Sequence, residues 1–483
     1  MRRSPGQPVV SKANALLTAR EKHTMPKQGV GILRTGWVRG VEKSNDNHSK
    51  LQTSASSVSN YTRRSLIKSA AGVASAAILP AEFAHFEFAG PGIPATESGS
   101  SRQLQSPAKN PPWYGFNLLE YFSTDPDWMK YFPYRDDGMF PENDFRWIRD
   151  WGFNWVRLPM DYRFWTAPDL FTIDEKKIEP IDRAVRLGEK YGIHVNFCLH
   201  RAPGFCILDT MDEKLTGIRI TKEKTSLFYD PRTLDAFVHQ WTFFLDRYKG
   251  IPSERLSFNL VNEPIVPPDA AEVAEIQKHR PIKTADFFNL EMLQRHAQDY
   301  TRVAKAAGDA VRAHDPQRLI VTDGYPGGGS PISDLFGTGM LQSCHTYNPM
   351  QVTHHDCEWV RGAVASSERL PTWPVKDDKG DIICDRQKLA KDFHPWKGLS
   401  AQGVAIHFGE LGCYKHTPPD VVLAWFNDTL DVLGELKSGW ALWNFRGPFG
   451  VLDTERFGTK FEDWQGHQLD RPLLTLLQTK TKW

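Results

Sequence analysis

Between residues 114 and 445 the sequence alternates eight short apolar runs with amphipathic stretches, and this rhythm leaves few architectures open. The runs cover residues 114–118, 155–158, 195–199, 256–261, 319–322, 341–346, 404–408 and 440–445. Between them, residues 142–151, 179–191, 234–248, 290–313 and 420–436 carry apolar residues at spacings of three and four, which gather on one face of a helix. Strands that take turns with helices pair in parallel, because a parallel neighbour is reached only through a crossover. Eight such strands are the number that closes on itself. The expectation is an α/β fold, a (β/α)8 TIM barrel with extended βα loops, over residues 113–483. Roughly 370 residues exceed the about 250 of a typical barrel, so the surplus is expected in loops, chiefly 264–285 and 348–395.

The barrel is preceded by a region of different composition. Residues 1–60 are polar and poor in aromatics, with Ser, Asn and Lys dominating 43–60, and cannot bury enough apolar area to offset the entropy of ordering. They are expected to be a disordered N-terminal extension. Within 61–90, Thr62-Arg63-Arg64-Ser65-Leu66-Ile67-Lys68 runs into the mildly apolar stretch 69–79. Paired arginines ahead of a short apolar run resemble a twin-arginine export signal, and the run is too short for an ordinary membrane span. Residues 91–112, rich in Gly, Pro and Ser, read as a flexible linker. The chain is therefore expected to be exported to a periplasmic, cell-surface or extracellular location. No membrane domain is expected beyond the signal itself, should it stay uncleaved.

Composition narrows the partners. A net charge of +1, with no basic stripe interleaved with aromatics, speaks against nucleic acid. The six cysteines form no Cys-x-x-Cys pair, which excludes a zinc ribbon and a disulfide scaffold while leaving room for one or two bridges. The cluster His354-His355-Asp356-Cys357 is a poor metal set, since adjacent side chains seldom reach one ion. Gly327-Gly328-Gly329 lacks the Lys-Ser or Lys-Thr of a phosphate loop, and suits a place where chain passes closely. Neither metal nor cofactor is expected. Sixteen tryptophans, by contrast, suit sugar binding, because an indole face offers an apolar surface to C–H groups.

In a barrel of this kind the chemistry sits where strands end. The run ends collect Arg157, His200, Asn262-Glu263, His345 with Tyr347, Glu410 and Trp443 on one face. Glycosidic cleavage needs one carboxyl group to protonate the leaving oxygen and a second across the anomeric carbon. Glu263 and Glu410, at the ends of opposite strands four and seven, meet that need.

Asn262-Glu263-Pro264 and Gly409-Glu410 resemble glycoside hydrolase family 5, the cellulase family of clan A. The likeness runs from Gly115-Phe116-Asn117-Leu118, through Val156-Arg157-Leu158-Pro159 and Leu199-His200-Arg201-Ala202-Pro203-Gly204, to Trp440-Ala441-Leu442-Trp443-Asn444-Phe445. Thr353-His354-His355-Asp356 departs from the Thr-His-Gln-Gly frequent there, which weakens transfer of substrate specificity. The resemblance implies a retaining β-glycosidase acting on a β-linked glucan, polysaccharide or oligosaccharide. In it Glu263 is general acid and then base, Glu410 is the nucleophile, and Asn262 binds the sugar 2-hydroxyl. Arg157, His345 and Tyr347 would hold Glu410, His200 would touch the sugar, Trp443 would be its floor, and His354 would lie nearby. A monomer is expected. The competing readings are a β-mannanase or exo-acting β-glucosidase of the same family, a catalytically silent carbohydrate-binding barrel, and a metal-dependent hydrolase.

Overall fold

The computed structural model describes residues 112–481, apart from 130–138, 209–224, 270, 273, 276–289 and 361–368. The extension, signal segment and linker expected over 1–111 lie outside the described residues.

Eight strands form the barrel: β1 (Tyr114–Asn117), β2 (Trp155–Asp161), β3 (His194–Ala202), β4 (Leu256–Asn259), β5 (Leu319–Asp323), β6 (Leu341–Thr346), β7 (Ile406–Leu411) and β8 (Gly439–Leu442). Each pairs in parallel with its neighbours, and β8 returns to β1, so no edge is left open. The expected (β/α)8 barrel is therefore the fold found.

The principal helices are α1 (Glu142–Asp150), α2 (Glu179–Tyr191), α3 (Pro231–Arg247), α4 (Leu290–His314), α5 (Arg386–Asp392), α6 (His394–Ala401), α7 (Pro419–Glu435) and α8 (Arg471–Thr479). Their boundaries follow from local chemistry. α3 starts where the Asp230 carboxylate accepts from the Arg232 and Thr233 amides, with a proline in its first turn. α2 ends at Gly192, whose φ of 69° is the left-handed cap. Two elements differ from expectation. No α-helix follows β5, where a 3-10 turn (Ser333–Leu335) makes the connection. The stretch expected as loop after β6 contains a small antiparallel hairpin (Val375–Lys376 with Ile382–Cys384), α5 and the start of α6.

The strands separate two environments. On β3, Val195, Phe197 and Leu199 belong to the apolar layer under the helices, with Phe197 5.3 Å from Phe244 of α3. Asn196, Cys198 and His200 alternate with them and meet polar groups inside, as in the 2.7 Å bond from Asn196 to Ser257. At the amino-terminal end the barrel is plugged by rings: Trp155 lies 4.4 Å from His194, 4.8 Å from His407 and 4.8 Å from Trp113. Burial holds His194 and His407 at about 3, as neutral imidazoles.

Closure of β1 against β2 leaves no room for a side chain at Gly115. A Cβ there would stand 1.7 Å from the Trp155 carbonyl oxygen. Gly115→Ala is expected to destabilise the barrel by about 3 kcal/mol, read as a lowered midpoint in thermal unfolding. Gly398→Ala, where nothing lies within 4 Å, should leave the midpoint unchanged or raise it.

Candidate active site

Arg157 organises the site. Its side chain is 1% exposed and donates five hydrogen bonds: Nε to Asn259 Oδ1 (2.9 Å), Nη1 to Asn117 Oδ1 (3.0 Å) and Glu410 Oε1 (2.6 Å), and Nη2 to Asn262 Oδ1 (2.7 Å) and Cys198 Sγ (3.0 Å). A planar guanidinium is the side chain that can serve five acceptors from different strands at once.

Glu410 reaches this cation because β7 is irregular just before it. The register against β6 shifts between Phe408 and Glu410. The residue displaced is Gly409, where a Cβ would lie 2.5 Å from Ser343 Oγ and 3.1 Å from His345 Nε2. Asn117 braces the irregularity, its amide donating to the carbonyls of Gly409 (3.0 Å) and Leu442 (3.2 Å). The second oxygen of Glu410 accepts from the Tyr347 hydroxyl at 3.0 Å.

Glu263 lies beyond β4 with φ of +42°, a left-handed conformation that costs an L residue about 1–2 kcal/mol. Its backbone N–H is held at 2.9 Å by Oδ2 of Asp323. One carboxylate oxygen, Oε1, lies 3.0 Å from His345 Nδ1, which is 3.5 Å from Glu410 Oε1. His345, expected beside Glu410, thus stands nearer Glu263. Burial, opposed by His345 and reinforced by Glu410 and Asp323, raises the Glu263 carboxyl above its ordinary range. At His345 burial disfavours the cation, but Asp323, Glu410 and Glu263 outweigh it and raise the imidazole. The two carboxylates are thus unlike, Glu263 favouring its proton beside His345 while Glu410 is gripped by a guanidinium.

Several polar atoms are buried without a partner. The Asn262 amide nitrogen has none, although its oxygen is fixed by Arg157, and neither has Nδ1 of His200. Buried donors are normally satisfied, so these mark where a polar ligand would bind. His200 is kept neutral, first by burial and then by Arg157. Its ring lies 5.8 Å from that of Trp443 at 27° and 4.6 Å from Phe122. Phe122, Trp443, Tyr347, Tyr414 and Phe449 form an apolar cluster on this face. His354 lies behind Tyr347, ring centres 4.9 Å apart, with Nδ1 3.0 Å from Thr353 Oγ1. Burial holds it at about 3 as a neutral ring. The structure therefore brings Arg157, Asn262, Glu263, His345, Tyr347 and Glu410 into one network, sets His200 and Trp443 beside it, and places His354 behind Tyr347.

Four members of the network lie outside the expected site residues: Asn117, Cys198, Asn259 and Asp323. Asn117, Asn259 and Asp323 are polar residues in or next to apolar runs, which is the available signal. Asp323 is fully buried and accepts from the Asn259 amide (2.9 Å) as well as from Glu263.

Glu263, His345 and Glu410 offer ligand atoms within 4.8 Å of one another, close enough in principle to share a cation. Arg157 already lies 2.6 Å from Oε1 of Glu410, so a metal ion on that carboxylate would have to sit close to a guanidinium. The set suits a pair of working carboxylates better. All six cysteines are free and buried, so the one or two bridges allowed by the sequence are not formed.

A family model described as cellulase (glycosyl hydrolase family 5) matches residues 113–447. Endoglucanase C of Acetivibrio thermocellus is 24% identical over 333 residues, which are 64% of this chain and 85% of that protein. Cellodextrinase A of Ruminococcus flavefaciens is 33% identical over 239 residues, 48% of this chain and 59% of its own length. A crystal structure described as a glycoside hydrolase superposes with a TM-score of 0.62 at 32% identity, covering 76% of this chain and 99% of that one. Cel5A of Thermotoga maritima, solved with mannotriose, shares the fold with a TM-score of 0.54 at 20% identity, covering 76% and 98%.

Proposed function

Since the chain belongs to glycosyl hydrolase family 5 and is an O-glycosyl hydrolase, we propose that it cleaves β-linked glucan chains with retention, Glu410 acting as nucleophile and Glu263 as acid and then base. The observation that carries this reading is the approach of the two carboxylates to within 4.8 Å. Inversion needs a water between one carboxylate and the sugar, hence a gap of about 6.5–9.5 Å, whereas direct attack needs about 5 Å.

In the first half-reaction a Glu410 oxygen bonds the anomeric carbon as the glycosidic C–O bond breaks and the proton of Glu263 passes to the leaving oxygen. In the second, Glu263 takes a proton from water, whose oxygen displaces Glu410. The Asn262 amide binds the 2-hydroxyl, His200 meets the sugar, and Trp443 lies under it. Tyr347 keeps Glu410 in place, with His354 as its packing support.

The endoglucanase and cellodextrinase relatives support glucan as the substrate class. We further propose export of a monomer. Arg63-Arg64 ahead of an apolar run supports the export. Among the described residues no helix is long and apolar enough to cross a membrane.

The test is hydrolysis by the full chain of β-1,4-glucan, β-1,3-glucan, β-mannan and aryl β-glycosides, beside Glu263→Ala. The expected outcome is preference for β-1,4-glucan. In Glu263→Ala, kcat/KM should fall by about 10²–10⁴-fold on poor leaving groups and little on dinitrophenyl glycosides, which leave without a proton. Preference for mannan would correct the substrate, activity abolished by a chelator would favour a metal-dependent reaction, and inactivity on every sugar would favour a binding barrel.

A further inference from the structure

Asp323, at the end of β5, has no part in the reaction just described, yet it stands beneath both groups that handle the proton. Its carboxylate accepts from the Glu263 backbone N–H at 2.9 Å and from the Asn259 amide at 2.9 Å. It lies 3.3 Å from His345 Nε2 and 3.7 Å from Arg157 Nη2. Nε2 of His345 is buried and makes no hydrogen bond, so Asp323 acts on it through its charge at 3.3 Å. A bare ring nitrogen would set its lone pair against a carboxylate, so Nε2 carries a proton. The opposite nitrogen, Nδ1, faces Glu263 Oε1 at 3.0 Å and Glu410 Oε1 at 3.5 Å, two further carboxylate oxygens.

Two cations, Arg157 and His345, face three carboxyl groups, so charge balance leaves one carboxyl with a proton. Arg157 lies against Glu410 at 2.6 Å and Asp323 at 3.7 Å, while burial raises Glu263, so the proton is assigned to Glu263. The other titratable groups facing the pair are Cys198 and His200 from β3, Tyr300 from α4, Cys344 from β6, Tyr347 beyond β6 and His407 from β7. Burial keeps both thiols and both phenols protonated and both imidazoles neutral, so none disturbs the balance.

We propose that Asp323 is a positioning residue for proton transfer: it holds His345 as the doubly protonated imidazolium, whose Nδ1–H engages Oε1 of Glu263 and leaves the acid's proton on Oε2. When Glu263 gives that proton to the leaving oxygen, its new negative charge already faces the Nδ1–H of His345. When Glu263 takes a proton from water, the arrangement returns to the start. The same carboxylate anchors the left-handed backbone of Glu263, so charge and geometry are set together.

This inference rests on the reading of Glu263 as acid and base. The test uses the full chain with Asp323→Asn, which removes the charge and keeps an acceptor for one of the two N–H groups, the Glu263 N–H on Oδ2 or the Asn259 amide on Oδ1. In the variant, kcat/KM on a poor leaving group should fall by about 10²-fold while that on a dinitrophenyl glycoside changes by no more than about threefold. The basic limb of the pH profile should move down by about one pH unit, since a nearby negative charge favours the protonated forms. In the unaltered protein, 15N spectra of labelled histidine, assigned by difference from His345→Gln, should show both nitrogens of His345 protonated near neutral pH.

A loss equal for both substrates with an unmoved pH limb would overturn the proposal and leave Asp323 a structural residue. A singly protonated His345 in the unaltered protein would overturn it even if Asp323→Asn did not fold. If Glu263→Ala itself shows no dependence on the leaving group, the acid/base reading fails. If it does and Asp323→Asn does not, only the role of Asp323 fails.

Discussion

Glu410→Ala is expected to lower turnover of β-glycosides by about 10⁵-fold, a loss of the size seen when a covalent nucleophile is removed. The variant should fold, because it deletes a carboxylate and leaves Arg157 four other acceptors, in Asn117, Asn259, Asn262 and Cys198. Azide should restore part of the rate by entering the space the carboxylate leaves. It then attacks the anomeric carbon from the nucleophile's side while Glu263 still protonates the leaving oxygen, and the product is the glycosyl azide of inverted configuration. Analysis of that product by NMR identifies which carboxylate is which. An azide of retained configuration would exchange the roles of Glu263 and Glu410, and undiminished turnover would end the two-carboxylate assignment.

Arg157→Ala is expected to cost about 3–5 kcal/mol in unfolding free energy as well as activity. It leaves Glu410 and Asp323 buried without the cation they face at 2.6 and 3.7 Å, and strands the oxygens of Asn117, Asn259 and Asn262. Arg157→Lys separates the two effects. It restores charge but not the planar fork, so stability should recover in part, while misplacement of Glu410 keeps turnover about 10²-fold low. Denaturant melts paired with kinetics check both. A lysine variant of full activity would mean that charge alone holds the nucleophile.

Much of this arrangement could be read from the chain, for a specific reason. The strand runs are apolar because the faces under the helices are, and each carries polar residues at alternate positions, as in Asn196, Cys198 and His200. The run ends therefore pointed to Arg157, Glu263, His345 and Glu410, which the structure joins. Asp323 escaped because the fifth run was ended at Thr322, one residue short. Asn259 lies inside its apolar run, where nothing in the sequence marks that its side chain bonds both Arg157 and Asp323. The apolar run of the seventh strand ends at Phe408, with Gly409-Glu410 at the strand's end. In the structure the strand continues to Leu411 and accommodates the glycine as a displaced residue. Helix α5 was read as loop because it buries a single apolar side chain, Leu389, and so leaves almost no periodic trace. The contacts of Arg157 with four partners on four other strands, and with Asn262 beyond β4, depend on closure in three dimensions, which no local pattern encodes.

The placement of the carboxylates divides the working parts unevenly along the chain. The first four strands carry Asn117, Arg157 and His200, with Asn262 and Glu263 just beyond the fourth, and the last four carry Asp323, His345, Glu410 and, just beyond the last of them, Trp443. A chain folded only as far as β4 during synthesis would hold a proton donor and a guanidinium with nothing to attack the sugar, while the second half alone would hold an attacking group with no guanidinium to place it. Catalytic competence thus arrives with the final pairing of β8 to β1, so the appearance of activity during refolding reports closure of the ring itself.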